Sequence, residues 1–319
     1  MIAETPAPPP SFRRRRPRFG DAGLRILAGA AAIGALLLVG LLVYKVTEEA
    51  WPSISEFGLA FLWGKEWNAV TGEFGALYLI WGTAFSSLVA IAIAAPVAIA
   101  IGLFLSELAP RRLRGPVGAL VELLAAIPSV VLGLWGILVM GPFLEAHVEP
   151  FLIDHFGWIP LFSGTPSNVG LLPACLVLTI MIVPIVSSIC RELFDSVPSD
   201  LKAGSLALGS TRWEMMRGVA IPQVSGGIVA AVILGLARAM GEAIAVSLTI
   251  GGTARTGWSL FGSADTLASR IANQYQGAAT ALQTSSIAYL ATILLVLSLG
   301  ANLTAALIVR RIRRRMGAR

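Results

Sequence analysis

Charge is what this chain is shortest of. Only 13% of its 319 residues are Asp, Glu, Lys or Arg, about half the share in a soluble globular domain. With 56% hydrophobic residues and a mean hydropathy of +0.78, no water-soluble core of this length could hide so much apolar surface. Histidine and cysteine are scarce too, at two each. His147 and His155 read as outer-loop residues without the i, i+4 spacing or carboxylate pattern of a zinc site, so no metal centre is expected. Cys175 and Cys190 would lie about 22 Å apart along a helix, beyond disulfide reach, and read as small buried hydrophobes. A phosphate-binding loop is missing as well. Gly64–Lys65 has no glycine at the right distance before it, and Glu66 stands where Ser or Thr is needed. The chain therefore does not hydrolyse ATP itself. No internal repeat stands out.

What is there is a series of six apolar runs, at about residues 26–44, 77–106, 115–139, 170–189, 224–250 and 286–309. Each is long enough to cross a hydrocarbon layer of about 30 Å, which predicts an all-α polytopic membrane protein with six transmembrane helices. The first run has 19 uncharged residues, longer than a secretory core, with no small-x-small cleavage site after it, so it reads as an uncleaved span. The second has 30 uncharged residues, about 45 Å of helix; it must tilt, break near Pro96, or begin as an interfacial segment around Trp81. The implied divisions are a basic cytoplasmic tail (1–24), the first span (25–46), an outer loop (47–76), a core (77–311) that includes a cytoplasmic helical foot (198–222), and a basic tail (312–319).

Lysine and arginine set the orientation. With both ends inside, the inner segments hold nineteen: residues 13–16, Arg18 and Arg25; Arg111, Arg112 and Arg114; Arg191, Lys202, Arg212 and Arg217; Arg310, Arg311, residues 313–315 and Arg319. The outer segments hold three, Lys65, Arg255 and Arg270. That asymmetry predicts cytoplasmic termini, and the amino-terminal arginine block reads as a topology anchor rather than a nucleic-acid contact. The outer loops carry Trp51, Trp63, Trp67 and Trp158, as expected at headgroup level. Residues 263–276 place Leu267, Ile271 and Tyr275 one turn apart, predicting a short amphipathic helix at the outer surface that gates the pore mouth.

Residues 201–222, LKAGSLALGSTRWEMMRGVAIP, form a polar island between two apolar spans. Apolar spacing on either side of Gly209 predicts helix, glycine turn, helix. Thr211 and Glu214 are spaced for a capping box. The shape is that of a docking element.

One stretch, residues 236–246, places charge inside a span: Arg238 and Glu242, four apart, share a helix face if the helix is continuous. Either alone costs several kcal/mol in lipid, and pairing offsets much of that. One reading is a structural ion pair. The other is a guanidinium fork for a passing oxyanion, with Glu242 preventing over-tight binding. Intramembrane charge favours the second. Glu122, about one turn beyond the cytoplasmic arginines, reads as interface-facing.

The foot resembles the coupling motif of bacterial ABC-importer permeases: the triplet Ala203, Gly204 and Ser205, then Gly209, then Val219, Ala220, Ile221 and Pro222. The family usually has Glu where this chain has Ala203. RAMGE at 238–242, FGALYL at 74–79 with Gly82–Thr83, LSELAP at 105–110, VELLAAIPSVVLGLW at 121–135 and ASRIAN at 268–273 are similar to the larger permease subunit of phosphate ABC importers. This resemblance covers about residues 68–311. It implies a type I ABC-importer permease in the bacterial inner membrane, embedded in lipid and binding no nucleic acid. It further implies pairing with a second, homologous permease, and two ATPase copies that hold ATP and Mg on the cytoplasmic side. An external binding protein would deliver phosphate, and this chain would carry no cofactor of its own. Sulfate, molybdate or phosphonate is the alternative cargo. A membrane enzyme is disfavoured because no histidine lies in a span and the one acid–base pair contains an arginine that stays protonated. A passive channel would not need the foot.

Overall fold

The computed structural model describes residues 19–254 and 256–317; residues 1–18, with most of the amino-terminal basic tail, together with Arg255 and Arg319, lie outside them. The chain divides into two compact units, Met1–Lys45 and Val46–Arg319. The described part of the first is helix whose large side chains are mostly exposed, Ile26, Leu27 and Leu36 at about 70%, the behaviour of a segment meant for lipid.

Among the described residues six helices are long and apolar enough to cross a membrane: Gly23–Leu62, Leu77–Leu108, Ser129–Phe156, Leu171–Asp195, Arg212–Met240 and Ala281–Arg311. The chain is a multi-pass membrane protein. Its elements run as follows. Helix α1 (Phe19–Phe57) leads to a 3-10 turn and a two-stranded antiparallel hairpin, β1 (Trp67–Asn68) and β2 (Glu73–Phe74). Helix α2 (Leu77–Leu103) ends in a π turn, Phe104–Leu108, before α3 (Arg111–Ala126). The next span is α4 (Ser129–Trp135), α5 (Gly141–Phe143) and α6 (Glu149–Phe156), joined by π turns at Gly136–Met140 and Leu144–Val148. Then come α7 (Leu171–Asp195), the short α8 (Ser199–Ala207) and α9 (Arg212–Met215), a fourth π turn (Met216–Ala220) and α10 (Ile221–Met240). Helices α11 (Ile244–Thr249), α12 (Leu267–Gln274) and α13 (Ala281–Gly317) complete the chain.

The centre of the second unit is α2 against α7, with α10 laid on both. The facing surfaces are small: Ala90, Ala94 and Ala98 of α2 meet a fully buried row on α7 that includes Cys175, Ile182, Val186 and Cys190. Small side chains let membrane helices approach closely, where dispersion contacts rather than water exclusion supply the stabilisation. Both cysteines are free.

Four expectations need correction. The third span is not 115–139. Pro128 forces Ile127 into extended backbone (ψ 125°), so residues 111–126 form a separate, largely exposed helix and the span begins at Ser129. His147 and His155 consequently sit on that helical span, each ring against the carbonyl four residues before it. The first helix continues well past residue 46, through Pro52 to Phe57. Of the three alternatives for the long second run, a break at Pro96 is not the one taken; neighbouring packing re-satisfies what a membrane proline frees. The run 224–250 is not one helix, because it stops at Gly241 and restarts at Ile244.

Candidate functional site

The stop at Gly241 changes the geometry expected of Arg238 and Glu242. The amides of Gly241 and Glu242 close the end of α10 on Ala237 and Ala239 carbonyls, both at 3.3 Å. Glycine weakens the helix here by about 1 kcal/mol relative to alanine, and Glu242 offers an alternative. Its Oε1 accepts from the Ala245 amide at 3.5 Å, capping the start of α11, while Oε2 lies 3.7 Å from Arg238 Nη2. One carboxylate therefore bridges the two helix ends. The pair is asymmetric: the Glu242 side chain is 9% exposed and that of Arg238 is 52% exposed. Arg238 is thus not sealed in a dry ion pair. About half of its side-chain surface is open within this chain, at a point where the helix ends.

The motif residues FGALYL, Gly82–Thr83 and ASRIAN tie α2 to the start of α12. Thr83 Oγ1 donates to the Leu79 carbonyl (2.8 Å) and accepts from the Leu267 amide (2.9 Å). A Cβ at Gly82 would collide with the Asp265 carbonyl oxygen, so only glycine admits this close approach. Thr266 caps α12 by accepting from the Ser269 amide. Arg270 reaches back to Asp265, with Nε 2.7 Å from Oδ2, and its guanidinium lies over the rings of Trp67 and Tyr78 at 5.8 and 5.7 Å. Trp67 in turn donates to Gln274 Oε1 at 2.7 Å. Burial raises the Asp265 carboxyl above the usual carboxylate range, and the Arg270 charge and the Thr266 amide pull against it. The helix expected at 263–276 exists, but its first turn is not superficial: Leu267, Ala268, Ser269 and Arg270 are all buried, because the Asp265 charge compensates Arg270 inside.

The foot takes the expected form. Gly209 turns the chain with φ +88°, and Thr211 and Glu214 form a complete capping box. Ser205, from the triplet, fixes the turn from within: its hydroxyl is 2.7 Å from that of Ser210, which also donates to the Ser205 carbonyl at 2.7 Å. Ala203 and Gly204 face solvent. Val219 and Ile221 are half-buried, and these two with exposed Pro222 lie at the root of α10 rather than on the foot's tip. Two residues missed by the motif stand out, Leu208 at 91% and Trp213 at 60% exposed. Their signal was partly available, since both are large apolar residues close to the glycine turn.

Six spans, the fifth starting at Arg212 and broken at Gly241, with the short α8 and the Gly209 turn leading into it, describe a helical membrane subunit. Residues 98–314 match the family described as binding-protein-dependent transport system inner membrane component. Among solved structures, a chain of a bacterial alginate ABC transporter, in complex with an alginate pentasaccharide-bound periplasmic protein, superposes with a TM-score of 0.62. Its identity is 16%, over 92% of this chain and 97% of that one. A chain of the MetNI methionine ABC transporter in an inward-facing conformation gives 0.54 at 21% identity, over 73% and 94%. These likenesses establish an ABC transporter permease fold. The chain is 43% identical over 308 residues to the phosphate transport system permease protein PstC of Mesorhizobium japonicum, covering 95% of this chain and 94% of the relative. It is 40% identical over 290 residues to PstC of Pasteurella multocida, covering 90% of each. The chain belongs to the PstC family of phosphate transport system permeases.

Proposed function

We propose that this chain is the membrane permease subunit of an ATP-driven importer of inorganic phosphate. The observation that carries the reading is Arg238: a guanidinium half open to its surroundings, inside an apolar span, held by Glu242 at a helix break. Its planar fork suits a tetrahedral oxyanion, and the carboxylate beside it competes for the same donors, so that the anion is released as well as admitted. Phosphate, the cargo named for the relatives, is favoured over sulfate, molybdate or phosphonate.

The chain forms half of the pathway with a second, homologous permease. Two ATPase copies, which bind ATP and Mg, dock on the foot, and an external binding protein hands over phosphate. ATP hydrolysis belongs to those separate subunits. Both termini are cytoplasmic, on the strength of nineteen inner against three outer Lys and Arg. Ala203, Gly204, Ser205 and Gly209, with Val219, Ile221 and Pro222 at the root of the next helix, make up the coupling element. ATP-driven closure of the ATPase pair moves the foot as a lever and tilts α7 and α10, exposing the pathway outward; hydrolysis reverses the shift.

The test is uptake of radiolabelled phosphate by the assembled transporter carrying Arg238→Ala or Glu242→Gln. Loss of charge-assisted hydrogen bonds worth about 1.5–3 kcal/mol predicts a roughly ten- to hundredfold fall for Arg238→Ala. Unchanged uptake in both variants removes the pair from the pathway. Competition by each of the other oxyanions tests the cargo.

A further inference from the structure

The LSELAP stretch and the residue before the triplet meet in space. Lys202, on α8, lies 2.5 Å from Oε1 of Glu107, 95 residues earlier in the π turn that ends α2. The same ammonium donates to the carbonyl of Phe194, near the end of α7, at 2.9 Å. Both side chains are largely closed off, at 17% and 13% exposure, so Lys202 is turned into the protein rather than toward a partner. Ser106 donates to Asp195 Oδ1 at 2.5 Å, joining the α2 and α7 ends directly, and Arg114 of α3 donates to the Ser106 carbonyl. Arg191 lies 3.9 Å from Asp195 and 4.0 Å from Glu122. The ends of α2, α3 and α7 are thus one charged network, and Lys202 is its only link to α8 among the described ion pairs.

The covalent path from α7 to α8 runs through Ser196, Val197 and Pro198, a link outside any helix. That link is itself seated: Val197 is buried, its amide donates to the Phe194 carbonyl, and the Ser196 amide donates to the Glu192 carbonyl. The charged tie adds a side-chain connection from α8 to both α2 and α7, the helices against which α10 packs. We infer that Glu107 and Lys202 are positioning residues for energy coupling, making α8 move as one body with α2 and α7 so that displacement of the foot reaches the pathway. This rests on the foot being the ATPase contact.

The experiment uses the complete assembly of both permeases, ATPase and binding protein in proteoliposomes, and reads phosphate imported per ATP hydrolysed. Glu107→Gln and Lys202→Met are expected to lower that ratio at least fivefold while ATPase co-purifies at the parental level. The exchange Glu107→Lys with Lys202→Glu is expected to restore the ratio to within twofold of the parent. A ratio unchanged in both single variants overturns the inference, as does an exchange no better than either single. A second measurement needs neither ATP nor phosphate. Spin labels on Leu108→Cys and Leu206→Cys, with Cys175 and Cys190 replaced by Ala, are expected to give one narrow distance distribution that broadens on Lys202→Met. A distribution that stays equally narrow overturns the tie. A parental assembly that imports no phosphate would instead defeat the transport reading, with the label distances still deciding the tie.

Discussion

Arg270 holds Asp265 across the start of α12, Nε to Oδ2 at 2.7 Å, with side-chain exposures of 11% and 3%. The contact joins two residues five apart in sequence, yet its effect is long-range. It seats the arginine against Trp67 and Tyr78 and so fastens the start of α12 to α2. Removing one partner of a buried ion pair costs about 3–5 kcal/mol because the other charge is stranded. Arg270→Ala is therefore expected to loosen the local structure by that order. Hydrogen exchange at the Leu267 and Ser269 amides measures it, and parental protection in the variant refutes the assignment.

The same pair predicts a pH dependence. Burial lifts the folded-state value of Asp265 above its unfolded one, against the opposing pull of Arg270. In the window between the two values the folded chain keeps a proton that the unfolded chain has released. Stability of the segment around α12 should thus be greatest below the ordinary aspartate range and decline as pH rises through the folded value. Asp265→Asn should flatten that decline. A thermal-denaturation series against pH with the same slope in both proteins would contradict it.

The exposed pair on the foot makes a different claim. Leu208 and Trp213 touch little within the chain, so Leu208→Asp or Trp213→Ala should change stability by no more than about 0.5 kcal/mol. Anchors of this type contribute about 2 kcal/mol or more to an interface, which predicts at least a tenfold loss of co-purifying ATPase. Full retention of ATPase by both variants would place the contact elsewhere.

Gly209 separates backbone from space. A side chain there would meet nothing within 4 Å, yet φ is +88°, a region that costs an L-residue roughly 1–2 kcal/mol. Binding of ATPase should fall in the order Gly209, Gly209→Asn, Gly209→Val, since Asn tolerates the left-handed region best among the non-glycine residues. Equal binding by the valine variant would mean that the turn is not held in this conformation by its partner.

Much of this foot was readable in advance because its determinants are local. A glycine turn and a Thr–Glu box three residues apart announce themselves in one dimension. The break at Gly241 did not, since Arg238 and Glu242 are spaced as an i, i+4 pair on a continuous helix and hydropathy carries no mark of where backbone bonds stop. The third span was misplaced for a related reason: apolar residues continue across Pro128, and only the extended backbone at Ile127 separates an exposed helix from a span. Glu107 and Lys202 show the other limit. Each reads as an ordinary charge near an inner membrane end, and what distinguishes them is a meeting across 95 positions. Arg270 had the opposite problem, a nearby partner but no sign that the two would be buried together.

The four π turns among the described residues bear on how relatives of this chain should be compared with it. Each holds one residue more than an α-helix needs, so a 3.6-residue pattern read through it slips by about 100°. Two such turns fall inside Ser129–Phe156, which puts the pattern at its end about 200° out of phase with that at its start. A homologue one residue shorter at such a turn would keep both faces in place with an unbroken helix. Single-residue gaps at these points are therefore compensated changes of length, and the residues on either side remain equivalent.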